Sequence, residues 1–365
     1  MDSNFQLSSA QIETLLKAGS AAPSPANLQA WEVKVRSSRI ELRLDLKRAT
    51  SFLDVGKYAA LLSLGAFAEN VALTAHSMGL KHDLQILPEL ESGAVIVCFT
   101  FNGKSENPIP KDSDLQQFIF SRCTNRKFDE GVRLPEETVE KLRRELQASH
   151  LSIEFSAVSV REKKRVFEEV LGKGDAIRFF NPITRNEMFN EVCWSKEEAS
   201  ATHDRVALAT LELPQPVIFM MRLMRQFPLL LKLIPQAKME KVFLPQLEAT
   251  SHLCCVSMKE PLEAIALFEV GRAIQRLWLR ATQLGLSIQP WTVLPFLILR
   301  NELLNGKGFS LQEKAALVQT KGQLKEACDL PPHAVPLFIF RLFRGAPPSA
   351  RSLRRSWKDF TEIES

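Results

Sequence analysis

The sequence predicts an α+β fold made of two related halves, and three observations carry that reading. An internal repeat links two distant helices, segments of strand-like and helix-like hydrophobic spacing alternate along the chain, and 365 residues suffice for two domain-sized units. The repeat is the sharpest of the three. Residues 63–80 (SLGAFAENVALTAHSMGL) match 269–286 (EVGRAIQRLWLRATQLGL) without a gap at an offset of 206. Gly65 pairs with Gly271, Leu73 with Leu279, Ala75 with Ala281, Gly79 with Gly285 and Leu80 with Leu286. Each copy reads as a core helix whose early glycine permits close packing and whose last glycine caps its end.

Residues 9–18 are predicted helical. Ser8 and Gln11 have capping-box spacing, Leu7 and Ile12 are placed as a hydrophobic staple, and Gly19 is the expected stop. After a loop rich in Ala, Pro and Ser, residues 31–35 and 40–45 alternate like paired strands. Residues 52–79 return to helical spacing, and 94–101 (AVIVCFTF) read as a buried strand. A Pro-rich linker at 107–110 precedes a helix near 115–121 and another opened by Leu134-Pro135-Glu136-Glu137, with proline in its first turn. A strand at 151–158, helical segments over 160–193, an apolar stretch to about 240, a long helix at 261–284 and a buried strand at 337–343 follow, before a basic tail ending at Ser365.

Composition narrows the function. With 45% apolar and 24% charged residues the chain is expected to be a soluble globular protein with a large core. A net charge of +5, without basic runs interleaved with aromatics, argues against a nucleic-acid partner. Six cysteines (Cys98, Cys123, Cys193, Cys254, Cys255, Cys328) show neither C-x-x-C pairs nor metal spacing, and read as free thiols in a reducing cytosol. The first residues have no basic n-region or apolar h-region, so cytoplasmic residence is expected. Neither G-x-G-x-x-G after a strand nor G-x-x-x-x-G-K-[ST] occurs, and the six histidines have no ligand spacing, so Rossmann, P-loop and metal chemistry are not expected.

Residues 216–234 (PVIFMMRLMRQFPLLLKLI) are nearly long enough to span a bilayer. Arg222, Arg225, Lys232 and the central Pro228 argue against a span, because each charge at membrane depth costs about 2.5–3.5 kcal/mol. The stretch reads as two short amphipathic helices that cover something. A lid over a site, ordinary core and a membrane-surface helix all stay open.

Three polar clusters could carry chemistry. Ser24, Asn27 and Gln29 sit on a tight loop before a strand, where short amides and a hydroxyl can bond a heterocycle or a polyol, or simply satisfy a turn. Arg122, Thr124 and Arg126 alternate in RCTNRKF, a pattern that suits a phosphate monoester but also describes a solvated basic turn. Arg351, Arg354 and Arg355 form a third cationic cluster near the C-terminus.

Together these clusters resemble the nitroreductase-like flavoproteins. SPANLQAW (24–31) is similar to the family's P-S-x-x-N-x-Q-P-W loop, with Ala30 in place of proline. RCTNRKFD (122–129) with LPEETVEKL (134–142) resembles the R-x-S-x-R-x-F signature and following helix, and 269–290 resembles the helix before the flavin-face loop. In ordinary members two subunits share each flavin mononucleotide (FMN), one giving the arginine segment and the other the P-S-x-x-N loop. Here the loop lies in the first half and the arginine segment in the second, which resembles the fused, Acg-like subgroup, as does Thr124-Asn125-Arg126.

The resemblance implies a pseudo-two-fold α+β body of two halves, 1–106 and 107–365, each a mostly antiparallel sheet with surrounding helices, and a helical lid inserted at about 180–260. It implies one FMN per chain. Ser24, Asn27 and Gln29 would meet the ribityl chain and ring, and Arg122, Thr124 and Arg126 the phosphate. Gln289 and Thr292 fall on the flavin-face loop, with a backbone N–H of Thr292 near flavin N5, and Arg354 closes over the phosphate, Arg351 and Arg355 being near-equal candidates. No residue is assigned as a catalytic acid or base. Three functions fit: an oxidoreductase using NAD(P)H or another donor and a small-molecule substrate, a flavin-sequestering protein with an occluding lid, and a peptide-modifying oxidase with an activating partner. A monomer is expected, since both halves of the dimer are already fused.

Overall fold

A computed structural model describes residues 5–89, 94–104, 111–147, 152–259 and 262–364. The linker at 107–110, residue 151 of the expected strand, residue 261 at the start of the expected long helix, and Ser365 lie outside the described residues.

Helix α1 (Ser9–Ser20) opens on the expected capping box: the Gln11 N–H donates to Ser8 Oγ and the Ser8 N–H to Gln11 Oε1 at 2.8 Å. It does not stop at Gly19. That glycine is buried where a Cβ would fall 2.4 Å from the Phe67 ring, so it serves close packing, and Ala21 in a right-handed conformation forms the C-cap. Strands β1 (Trp31–Arg36) and β2 (Arg39–Leu44) form the expected hairpin. A 3-10 turn at Val55–Lys57 leads into α2 (Tyr58–Ser77), followed by β3 (Leu80–Glu89) and β4 (Ala94–Lys104). Strand β3 is not predicted from the sequence, because its charged positions leave only a half-buried apolar face.

Residues Lys111–Phe118 form a 3-10 helix where a helix near 115–121 is expected, and α3 (Glu136–Gln147) begins after Pro135. Strand β5 (Ile153–Val158) precedes α4 (Arg161–Phe180) and α5 (Pro182–Asn190). A small parallel pair, β6 (Val192–Cys193) and β7 (Val206–Ala207), brackets α6 (Lys196–Thr202). The apolar stretch folds as α7 (Gln215–Gln226) and a 3-10 helix at Pro228–Leu233, broken at the proline as its sequence suggests. After α8 (Gln236–Met239) and α9 (Leu244–Glu248) come β8 (His252–Lys259), α10 (Ala264–Gln283), β9 (Ser287–Pro290), α11 (Val293–Leu303), α12 (Leu311–Ala327), β10 (Ala334–Phe343) and β11 (Thr361–Glu364).

The strands build a five-stranded sheet, β11-β1-β2-β4-β3, and a four-stranded sheet, β5-β8-β10-β9. All neighbours are antiparallel except β11, which runs parallel to β1 with Val33 opposite Thr361. The C-terminal strand thus joins the sheet that begins at Trp31. The second sheet is centred on β10, buried at every position as a strand covered on both faces must be.

The repeat helices α2 and α10 form the centre. Helix α2 is apolar on nearly every side and nearly wholly buried, as such a helix must be in water. The segment Val55–Ser77 is long and apolar enough to cross a membrane, yet 89% of its apolar window lies inside this fold. Where α2 meets α10, the glycines Gly65 and Gly271 let the backbones touch. Buried Glu69 there accepts from Arg272 at 2.9 Å and Arg276 at 3.0 Å, and Gln275 Nε2 donates to Asn70 Oδ1 at 2.7 Å, which pairs the charged groups and one amide contact at the crossing. Gly79 and Gly285, at φ +66° and +67°, end the two helices alike.

Candidate functional site

A cavity of about 1280 Å³ brings together residues from both ends and the middle of the chain. Its walls are the loop before β1, the segment after the 3-10 helix Lys111–Phe118, the turn between β9 and α11, the residues before β11, and a roof from α7.

The first wall is strained. Ala26, Asn27 and Gln29 hold φ of 47°, 59° and 52°, left-handed values that cost a non-glycine residue roughly 1–2 kcal/mol each. Side chains enforce them. Asn27 Nδ2 donates to the carbonyls of Arg205 and Leu353, both at 3.0 Å, while its Oδ1 accepts from Arg354 at 2.6 Å. Gln29 is fully buried: its Nε2 donates to the His203 carbonyl at 2.8 Å and its Oε1 accepts the Arg355 N–H at 2.9 Å. Ser24 Oγ accepts the Gln29 N–H at 3.0 Å. Ser24 and Asn27 therefore line the cavity, whereas Gln29, expected to meet a ligand, stands behind the loop with its amide committed to backbone.

The second wall carries positive charge. A bridge between Thr124 and Ile288 seats the segment on the edge of β9. Arg122 stacks on the Trp278 ring with its guanidinium carbon 4.6 Å from the centroid, and donates to the Ala21 carbonyl at 2.8 Å. Arg126 donates to the Thr210 carbonyl at 2.9 Å, and Arg351 to the carbonyls of Phe120 and Ser121 at 2.7 and 2.8 Å. All four cations, Arg122, Arg126, Arg351 and Arg354, line the cavity. Burial, with Arg354 and Arg351 as neighbouring like charges, pushes Arg122 down to about 9; burial brings Arg126 and Arg354 down to about 10. Nε of Arg122 and Nε of Arg354 are buried donors with no partner. Of the three C-terminal arginines, Arg355 is turned away: it bonds the Gln29 carbonyl and stacks on Phe360.

Such a wall suits a bound anion. Buried guanidiniums cost free energy unless paired, and an oxyanion with several acceptor oxygens supplies what the orphaned donors lack. The donor set therefore fits the phosphate of a mononucleotide.

The third wall is the β9–α11 turn. Gln289 lines it but its Oε1 accepts from buried Arg341 at 2.6 Å, so the amide orients the turn. Thr292 is the N-cap of α11 and has no side-chain capping bond, which leaves the first turn's N–H groups, without intrahelical partners, on the cavity wall. Trp291 Nε1 donates to Asp175 Oδ2 at 2.9 Å, and burial pushes the Asp175 carboxyl up to about 7 against that bond. The roof is apolar, with Met220, Met221 and Met224 from α7 beside Met239 and Phe243.

Asp175, Trp278 and the ion pair of Arg178 with Glu191 also line the cavity and were not singled out in the sequence. Asp175 had a signal. It follows Gly172 and Gly174, where a Cβ would meet the Glu240 carbonyl at 2.1 Å and Leu294 at 3.0 Å, so close approach at this part of α4 was encoded.

No family model matches the chain. It is 24% identical over 350 residues, 94% of its length, to an uncharacterized protein of Mycobacterium tuberculosis, and spans 47% of that protein, about half its length. Among solved structures, the FMN-dependent nitroreductase NfnB from Mycobacterium smegmatis in complex with NADPH is similar at 13% identity and a TM-score of 0.38, over 69% of this chain and 99% of that one. A nitroreductase-like family protein from Bacillus cereus is similar at 12% identity and a TM-score of 0.38, over 71% and 99% of the two chains. A nitroreductase from Bacteroides fragilis with bound FMN is similar at 12% identity and 0.36, over 66% and 94%.

Proposed function

We propose that the chain is a nitroreductase-like protein that binds one FMN in this cavity and acts as a flavin-dependent oxidoreductase. The carrying observation is the set of cavity-facing arginines, two of them with orphaned buried Nε atoms. Arg122, Arg126, Arg351 and Arg354 would take the phosphate, with the Thr124 hydroxyl beside them. Ser24 and Asn27 would meet the ribityl chain and ring, and Gln29 would hold their loop. The Thr292 N–H would face flavin N5. Bound FMN supplies hydride and electron chemistry, which the residues orient and shelter from water.

One site per chain is supported by how the repeats diverge. In the second copy the helix is followed by the four-residue β9 and then by α11, whose N-terminus lies on the cavity. In the first copy the helix is followed by the ten-residue β3, and among the described residues no helix start takes the equivalent place. The two halves, 1–106 and 107–365, would then form an internal dimer and the protein a monomer, which size-exclusion chromatography with light scattering checks.

A second reading is flavin sequestration without turnover. Its support is the apolar roof, where Val217, Met221 and Met224 of α7 line the cavity as a cover would. Steady-state oxidation of NADH or NADPH with nitroaromatic or quinone acceptors separates the two. Robust turnover rules out sequestration, and its absence with every acceptor rules out the oxidoreductase.

A further inference from the structure

The outer face of α7 and the turn after it is unlike the rest of the surface. Phe219, Phe227, Leu229 and Leu233 are exposed and do not line the cavity, Leu229 at 73% and Leu233 at 77%. Apolar side chains scattered singly need no explanation, whereas several on one short segment point to a contact surface. On α7 and its C-cap, exposed Phe219 and Phe227 and half-buried Leu223 recur every four positions as a stripe, while Val217, Met220, Met221 and Met224 line the cavity. The helix is thus apolar on two faces, only one of which the fold uses.

The charge beside the stripe is mostly positive, since Glu198, which lies near Arg225, is itself paired with Arg205 at 2.8 Å. Between Leu213 and Phe243 the sequence carries Arg222, Arg225, Lys232, Lys238 and Lys241 against the single acid Glu240. Arg222, Arg225, Lys238 and Lys241 are exposed. Arg222 and Arg225 are held on one side of the helix by the Trp194 carbonyl and ring, which keeps their charge beside the apolar stripe and off it.

We propose that this surface docks on an anionic lipid bilayer. The exposed apolar side chains would enter the headgroup boundary while the cations meet the lipid phosphates, the arrangement of an interfacial amphipathic helix. The charges and Pro228 that forbid a span are those that favour lying in the interface. The inference is independent of flavin binding, since Phe219, Leu229 and Leu233 do not line the cavity.

Flotation of the full chain with phosphatidylcholine vesicles, and with vesicles that also contain phosphatidylglycerol, tests it. The expected result is binding to the phosphatidylglycerol vesicles at least about tenfold stronger than to neutral ones and weakened by salt. Leu229→Asp with Leu233→Asp should lower it about tenfold or more, with circular dichroism and flavin content unchanged. Equal recovery with both vesicle types, or no loss in the double variant, would overturn the proposal. So would a concentration-dependent dimer in light scattering that the same double variant abolishes, since the occupant would then be a second copy of the chain. Lys238→Glu with Lys241→Glu supplies an independent arm: it should reduce binding while leaving the apolar face intact, and unchanged binding counts against the charge argument.

Discussion

Gly65 and Gly271 meet in a reciprocal contact. A Cβ on Gly65 would fall 2.0 Å from the Phe268 carbonyl oxygen, and a Cβ on Gly271 would fall 2.2 Å from the Leu62 carbonyl oxygen. Leu62 and Phe268 are separated by the same 206 residues as the two glycines. The two repeat copies therefore meet through equivalent positions.

Gly65→Ala and Gly271→Ala should each destabilise the fold, because both obstacles are backbone and cannot rotate away. Overpacking of this kind costs about 1–3 kcal/mol or more. Urea unfolding midpoints check it, and a Gly79→Ala control should show only the smaller effect of a strained positive φ in open space.

The C-terminal arginines should separate by role. Arg354→Ala removes a cavity cation bonded to Asn27 and should weaken FMN binding by about 1.5–3 kcal/mol, the worth of a hydrogen bond to a charged group. Arg355→Ala touches the Gln29 loop from outside the cavity and should lower stability with less effect on affinity. Titration of flavin fluorescence on each variant measures the difference.

Asp175 predicts a pH dependence. Its folded value of about 7 stands above the ordinary 3.8, so the folded state holds the proton more tightly. Its contribution to stability is full below about 3.8 and is lost as pH rises through about 7. Asp54, raised to about 6 by burial, adds a loss of the same sign that ends earlier. Asp175→Asn should remove the upper part of the decline in a series of urea midpoints between pH 4 and 8.

Cys123 is the one cysteine of the six that is not buried, and it lines the cavity. Burial raises the Cys254 and Cys328 thiols well above their ordinary value and keeps them inert. Alkylation followed by peptide mass spectrometry should mark Cys123 first, and bound FMN should slow that labelling.

Much of this architecture was legible where local rules operate. The capping box at Ser8, the hairpin at Trp31, the helix after Pro135 and both repeat helices follow from spacing that needs no tertiary partner. What escaped depends on contacts distant in sequence. Strand β11 exists because it finds β1, and Gly19 ends no helix because Phe67 lies against it. In the site, the arginine spacing was readable at Arg122 and Arg126. The inward use of Gln29 was not, since its bonds go to His203 and Arg355, which only folding brings near.

One flavin on one arginine-lined wall should be visible in the absorption spectrum of the purified full chain after saturation with FMN and gel filtration. The expected result is a flavin band at one equivalent per chain in the wild type and its loss in Arg126→Ala. No retained flavin, two equivalents per chain, or an undiminished band in Arg126→Ala would contradict it.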